Sequence, residues 1–375
     1  MLSLVSCVEP FYPDIDETEG VLVVSGRITD RPGRHFVEIS RSSTLEEPEF
    51  NPVEGCVVRV EDNFGMMVVY MEDSPGIYRA ELDEQFLDLN KAYKLFIDTP
   101  GGKQYESSYD SLLACPELED VYFEVDSLET AGTSRTYYGI QFYVDVKGEG
   151  DDSRNFMWHL EETFEYHAYY LIGYIWDGVV LQEFMPPIDS LYICYKTQPV
   201  REIHAASTRH LISNELVKYP LNFVSNQSTR LRFKYSLLVS QHSLSKDAYR
   251  FWEQTRVQLT ETGSFYETQP STSSGNIHNI HDDKEQVLGY FYASQVKEKR
   301  ITVKNRFRFP MGRRESCPLD TINSVEELAD HYPYYMISVS MMGFGPPYGT
   351  SDPECFNCTL RGGTTVAPDY WDEDE

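Results

Sequence analysis

No stretch of the sequence approaches the roughly eighteen consecutive apolar residues that a membrane-spanning helix requires, so nothing in it reads as a transmembrane helix. Positive charge is scarce too: 32 Lys and Arg stand against 60 Asp and Glu, a formal net charge of -28. A chain of that sign repels phosphate backbones and anionic lipid surfaces, which argues against nucleic acid as a partner. The sequence also lacks a G-x-S-x-G elbow, a Walker loop, a G-x-G-x-x-G turn, an internal repeat and a heptad pattern. These absences lower the expectation of an enzyme, and no cofactor is expected.

What the chain does have is aromatic and β-branched residues in short runs. Tyr alone occurs 27 times, and Tyr favours strands. Seven such runs occupy the first hundred or so residues: Val21–Ile28, His35–Ser42, Cys56–Glu61, Met66–Met71, Ile77–Leu82, Tyr93–Asp98 and Gln104–Tyr109. Asp62-Asn63-Phe64-Gly65 and Thr99-Pro100-Gly101-Gly102 supply turns between neighbours. This spacing predicts an immunoglobulin-like or transthyretin-like sandwich over residues 20–116.

A larger β domain is predicted over 117–345, where Ile140-Gln141-Phe142-Tyr143-Val144-Asp145-Val146 alternates as a strand does. One helix is expected within it, near 244–261. Leu244, Ala248, Phe251, Trp252, Thr255 and Leu259 fall at helical spacing, Ser243 suits the cap, and Gly263 suits the end. Residues 346–375 read as a loop-rich tail. The fold class is therefore mainly β, a sandwich followed by a larger β domain carrying one inserted helix.

The seven cysteines divide into one near the start and six others. Leu4-Val5-Ser6-Cys7 resembles a bacterial lipobox, in which the Cys thiol is acylated and residues 1–7 end the signal. Acyl chains then anchor the chain. Only six residues precede Cys7, fewer than a basic region and an apolar stretch need, which predicts that the precursor starts further upstream. Residues 8–19, rich in Pro and acid, suit a solvated tether. Six remaining cysteines allow 15 pairings. The single C-x-x-C, Cys355-Phe356-Asn357-Cys358, lacks the second pair of a zinc site and the strand-then-helix setting of a thioredoxin site. Disulfide partnership with Cys194 or Cys317 is the better reading. Cys56, inside an apolar run, reads as a core thiol or a partner of Cys115.

Two segments could carry chemistry. His278, His281, Asp282 and Asp283 lie close enough to suggest a metal, but without the helix that would put both imidazoles on one face. They are weak candidates, and no metal is expected. The acids and histidines of Trp158–His167 are read as a solvated strand face, because alternation splits neighbours between two faces.

Several strings, weak singly, are specific in combination and order: Cys7-Val8-Glu9-Pro10, Leu22-Val23-Val24-Ser25-Gly26-Arg27-Ile28-Thr29-Asp30, Trp158-His159-Leu160-Glu161-Glu162, Ala248-Tyr249-Arg250-Phe251-Trp252, Val287-Leu288-Gly289-Tyr290-Phe291, and Cys355-Phe356-Asn357-Cys358 with Pro368-Asp369-Tyr370-Trp371. Together they resemble an uncharacterised outer-membrane lipoprotein family of Bacteroidetes-type bacteria, catalogued as domain of unknown function 4249. The resemblance covers nearly the whole chain and departs where Tyr195 stands in place of a Trp. It implies an outer-membrane protein held by its lipid anchor only, facing the periplasm or the cell surface. The implied partner is an outer-membrane transporter, TonB-dependent and engaged in nutrient uptake, or another envelope protein. The expected role is non-catalytic binding; alternatives are envelope assembly or adhesion and, more remotely, a metal-dependent hydrolase using His278, His281, Asp282 and Asp283.

Overall fold

The computed structural model describes residues 20–43, 49–129, 136–150, 152–261, 275–312, 316–328 and 333–371. Cys7, the 8–19 tether and Gly263 lie outside them. The described chain is mainly β, with one α-helix, and divides into two compact units. One unit holds the residues up to Leu113 together with Ser245–Gln295; the other holds Ala114–Leu244 and Val296 onward.

In the first unit, strands form at all seven expected runs, from Leu22–Thr29 to Gln104–Ser107. Alternation decides which side chains enter the core: Leu22, Val24 and Ile28 are buried while their neighbours are not. Strand Met67–Ser74 turns the sheet back on itself. Its first half pairs with Val57–Asp62 and its second half with Ile77–Leu82. The two sides then enclose one core that includes Val24, Ile39, Val58, Tyr78 and Leu95, each worth about 1.5–3 kcal/mol when fully buried. The Asp62–Gly65 turn is held by the Asp62 carboxylate, which accepts the N–H of Phe64 and of Met66, both at 2.9 Å. Lys91 pairs with the same carboxylate at 2.8 Å.

The helix and its neighbours correct the expected domain boundary. Residues 245–295 belong with the first unit, because Val287–Ser294 adds to Leu22–Thr29 as a parallel strand and Ile277–Asn279 pairs with Gln104–Ser107. Parallel pairing needs a long connection, and here that connection includes Ala114–Leu244, most of the second unit. Gly289 permits the approach at φ 100°, since a Cβ there would collide with the Val24 carbonyl oxygen. The helix, Lys246–Glu261, packs Phe251 against Tyr290 with ring centroids 4.9 Å apart. Its cap is Ser245, whose hydroxyl accepts the Ala248 N–H at 3.2 Å; Ser243 instead ends strand Lys234–Ser243. Leu259 is exposed, so the buried stripe stops about a turn earlier than the spacing predicts.

The second unit is a sandwich with an addition. A three-stranded sheet orders Glu117–Glu129, Thr136–Lys147 and Glu215–Ser225; a four-stranded sheet orders Ile193–Ser207, Asn155–His167, Lys234–Ser243 and Val296–Lys304. Phe142, Trp158, Leu160, Tyr235 and Val239 are among the side chains of the shared core. Phe142 stacks on Tyr235 at 5.6 Å, and the Trp158 indole N–H donates to Gln241 Oε1 at 2.9 Å. A five-stranded sheet, Leu181–Ile188, Ile172–Trp176, Tyr334–Ser338, Tyr348–Thr350 and Asp320–Ile322, has only small apolar clusters of its own.

Disulfides reinforce that weaker region. Cys194 bonds Cys358 and Cys317 bonds Cys355, so each cysteine of the C-x-x-C takes one of the two expected partners. Cys56 and Cys115 are buried thiols outside both bonds, and the Cys115 thiol donates to the Gln241 carbonyl. Most of the tail is loop and 3-10 turn, yet it is ordered against the four-stranded sheet. Thr364 bridges Tyr195, and the Tyr370 hydroxyl lies 2.8 Å from that of Thr163.

Two stability predictions follow from these contacts. The Cys317–Cys355 bond spans 38 residues, so Cys317→Ser with Cys355→Ser should cost about 3–4 kcal/mol of unfolding free energy in urea. Asp110 is buried, accepting the Ala293 N–H at 2.9 Å and bonding Ser245, and burial raises its carboxyl from 3.8 to about 6. The folded state therefore holds this proton more tightly, so its contribution is full below about pH 4 and is lost as pH rises to about 6. Wild type should lose about 2–3 kcal/mol across that window relative to Asp110→Asn, measured by urea titration at each pH.

Candidate binding groove

In the second unit, strand Val296–Lys304 is the last of its sheet, and Glu117–Glu129 is the last of the facing sheet. The two edges run side by side without sharing a ladder among the described residues. At one end they are tied: Lys297 to Glu117 at 2.6 Å, and Lys299 to Asp120 and to the Glu119 carbonyl, both at 2.9 Å. Further along, a groove of about 520 Å³ opens, lined by Phe123, Arg300–Lys304 and Arg306.

The strand's alternation gives this groove two characters. Ile301 and Val303 turn toward the core and, with Phe123, make an apolar floor. Arg300, Lys304 and Arg306 make a cationic rim. After Lys304 the chain continues in alternation. Phe307 and Phe309 pack on the core and stack on one another at 4.9 Å, Phe307 meets Phe123 edge-on at 6.3 Å, and Tyr138 stacks on Phe309 at 6.4 Å. This aromatic ladder fixes the backbone from which Arg306 and Arg308 project, exposed and without an ion pair among the described residues.

Arg300 is positioned more tightly. Its guanidinium lies 3.6 Å from the Tyr370 ring centroid, donates to the Ser236 hydroxyl at 3.2 Å and stands 3.8 Å from Glu161. Lys304 sits opposite Lys234, which lies 5.1 Å from the Trp371 ring centroid. The tail thus already uses cations of this sheet as aromatic supports.

The residues singled out in the sequence fall elsewhere. His278 is exposed on its short strand with Nε2 3.5 Å from Glu106, while the His281 ring meets Gln104 Oε1 at 3.1 Å. Asp282 accepts the Lys284 N–H at 3.0 Å and closes a turn. Among the described residues no three His, Cys, Asp or Glu converge to hold a metal ion. Trp158–His167 is not wholly a solvated face: Glu162 turns into the core. There it accepts two bonds from Arg230, at 2.8 and 2.7 Å, one from Tyr235 at 2.8 Å and one from Gln198 at 2.7 Å. The groove itself went unread, although its signal is in the sequence. Residues 297–308 carry six Lys and Arg and one acid, in a chain where acids outnumber bases almost two to one.

The family model described as Domain of unknown function (DUF4249) matches residues 8–300. The chain belongs to the DUF4249 family. No curated protein matches it. Among solved structures it is similar to trypsin activated alpha-2-macroglobulin from Escherichia coli, at 9% identity and a TM-score of 0.19, over 61% of this chain and 15% of that one. The chain thus spans only a small part of that protein's length, and a likeness so slight carries no functional argument. In this DUF4249 protein the matched residues end at Arg300, so Lys304, Arg306 and Arg308 lie past the region the family model covers.

Because Glu162 neutralises Arg230 inside the sandwich that displays the groove, Glu162→Ala should cost about 3 kcal/mol or more by leaving a guanidinium and the Tyr235 hydroxyl without their acceptor. Glu162→Ala with Arg230→Met should recover part of that loss, as read by urea unfolding of both variants.

Proposed function

We propose that this DUF4249 protein is a non-catalytic binding protein of a bacterial outer membrane, held there through Cys7 and docked on an outer-membrane transporter engaged in nutrient uptake. The observation that carries the binding half of this reading is the groove between the two sheet edges, where an apolar floor lies beneath Arg300, Lys304 and Arg306. In a chain of net charge -28, cations gathered along one strand favour an anionic partner. Their arrangement suits holding a ligand, since the convergent groups are guanidinium and ammonium donors above aliphatic and aromatic side chains. The membrane and transporter half rests on the lipobox-like Leu4-Val5-Ser6-Cys7 and on the family resemblance.

Purification of the tagged protein from native outer membranes in mild detergent tests both halves. Wild type should bring down a transporter in stoichiometric amount, and Arg306→Glu with Arg308→Glu should lower its recovery by about tenfold. Cys7→Ala should release the protein from the membrane fraction. Recovery of the wild type alone would refute the transporter reading; equal recovery by the charge-reversed variant would show that the groove is not the docking site.

A further inference from the structure

We propose that the hairpin loop at one end of the five-stranded sheet inserts into the boundary of a zwitterionic phospholipid bilayer, a membrane contact that goes beyond the Cys7 anchor and is independent of the groove. Strand Tyr334–Ser338 turns back into Tyr348–Thr350 through residues 339–347. Met341 is fully exposed there, and Met342 and Phe344 each show more than half of their surface. Register brings further apolar side chains to the same end of the sheet. Leu171 precedes Ile172, whose strand runs antiparallel to Tyr334–Ser338, and Met185 stands between Glu183 and Ile188 of the next strand. Both are exposed. The Tyr174 hydroxyl ties these segments together, accepting the Gly345 N–H and donating to Glu183 Oε1, both at 2.8 Å. An exposed apolar cluster of this kind marks a contact with protein or with membrane.

Two observations choose the bilayer. Residues 333–351 contain no Asp, Glu, Lys or Arg, in a chain of which 25% is charged, so the hairpin takes no charge into hydrocarbon, where one is expensive. The loop also satisfies its own backbone, which hydrocarbon demands and water does not. The N–H groups of Val339 and Gly343 donate to the carbonyls of Pro347 and Ser340, both at 3.0 Å. Those of Ser340 and Met342 donate to the hydroxyls of Ser338 and Ser340, at 3.2 and 3.3 Å. Pro346 and Pro347 have no N–H to satisfy. A protein partner would offer donors and acceptors to such a loop; hydrocarbon offers none. Glu183 and Asp189 flank Met185 and the chain carries -28, so zwitterionic rather than anionic headgroups suit this surface. A few apolar side chains hold as reversibly as a single acyl chain does, so the loop orients the anchored protein and does not replace Cys7.

The test is flotation of the full chain carrying Cys7→Ala on phosphatidylcholine vesicles, so that neither an acyl chain nor a transporter contributes. Binding that rises with lipid concentration is expected, weakened about tenfold or more by Met341→Asp with Phe344→Asp and kept by Met341→Leu with Met342→Leu. Adding phosphatidylglycerol to the vesicles should weaken it as well. In a Met341→Trp variant, vesicles should shift the indole emission to shorter wavelength, and lipids brominated in their acyl chains should quench it. Because these positions are exposed, the substitutions leave the fold intact, which circular dichroism checks. Absence of flotation at every lipid concentration, or flotation that the aspartates leave unchanged, would overturn the loop as a membrane contact. Binding to phosphatidylglycerol vesicles alone would overturn the zwitterionic surface as its occupant. A concentration-dependent dimer, seen by light scattering without vesicle binding and dissolved by the aspartates, would assign the patch to a second copy and overturn the bilayer. Failure in this assay leaves the transporter reading untouched, because the assay contains neither anchor nor transporter.

Discussion

Eight consecutive pairings between Leu22–Thr29 and Val287–Ser294 are the constraint on which the topology depends. A strand laid parallel to the first strand of the chain cannot come from a hairpin, and here its connection is longer than a complete domain. The chain builds most of one sandwich, leaves at Leu113, builds most of a second, returns through the helix to finish the first, and crosses at Gln295–Val296 to finish the second. Both final strands, Val287–Ser294 and Val296–Lys304, therefore come from one short stretch. Closing loops this long costs entropy only logarithmically in length, so the large apolar burial at Val287, Phe291 and Ala293 readily offsets it.

Charge inside this acidic protein is handled in three ways, and the difference lies in what stands next to each carboxylate. Burial works against the charged form of Asp62, but Lys91 and the N–H groups of Met66 and Phe64 outweigh it, so the carboxyl is held below its ordinary range. Glu162 is buried as deeply and accepts, on both oxygens, from one terminal nitrogen of Arg230, with two neutral donors beside it. Asp110 has Ser245 and the Ala293 amide, which do not offset its desolvation, and its carboxyl rises. A cation within reach thus decides whether an interior acid contributes to the fold as an anion or weighs against it as pH rises.

How much was legible follows from the range of each signal. Runs such as Ile77–Leu82 and Tyr93–Asp98 show their period of two within a few residues, and the structure puts strands there. The helix was visible from Ala248 and Phe251, but its cap lay two residues beyond Ser243, because Ser243 was already committed to a strand. Membership of Val287–Ser294 was not legible: its apolar pattern announces burial and is silent about which sheet buries it. Glu162 was obscured by its neighbours, since three consecutive polar residues look solvated until alternation assigns the middle one inward. The groove was missed because its floor and rim share a strand, and neither an apolar run nor a cation cluster alone describes an edge with two characters.

The groove also has to work against the field of its own molecule. At physiological ionic strength the screening length is about 8 Å, so an approaching anionic group feels little of the distant negative charge and responds mainly to the charges nearest it. Arg300, Lys304 and Arg306 therefore act only at close range, at distances where the apolar floor also engages. Long-range steering therefore contributes little to association, and the discrimination lies in how slowly a well-matched ligand leaves. A cationic site that attracted partners from afar would also recruit indiscriminately; one whose reach is short favours what can satisfy rim and floor together.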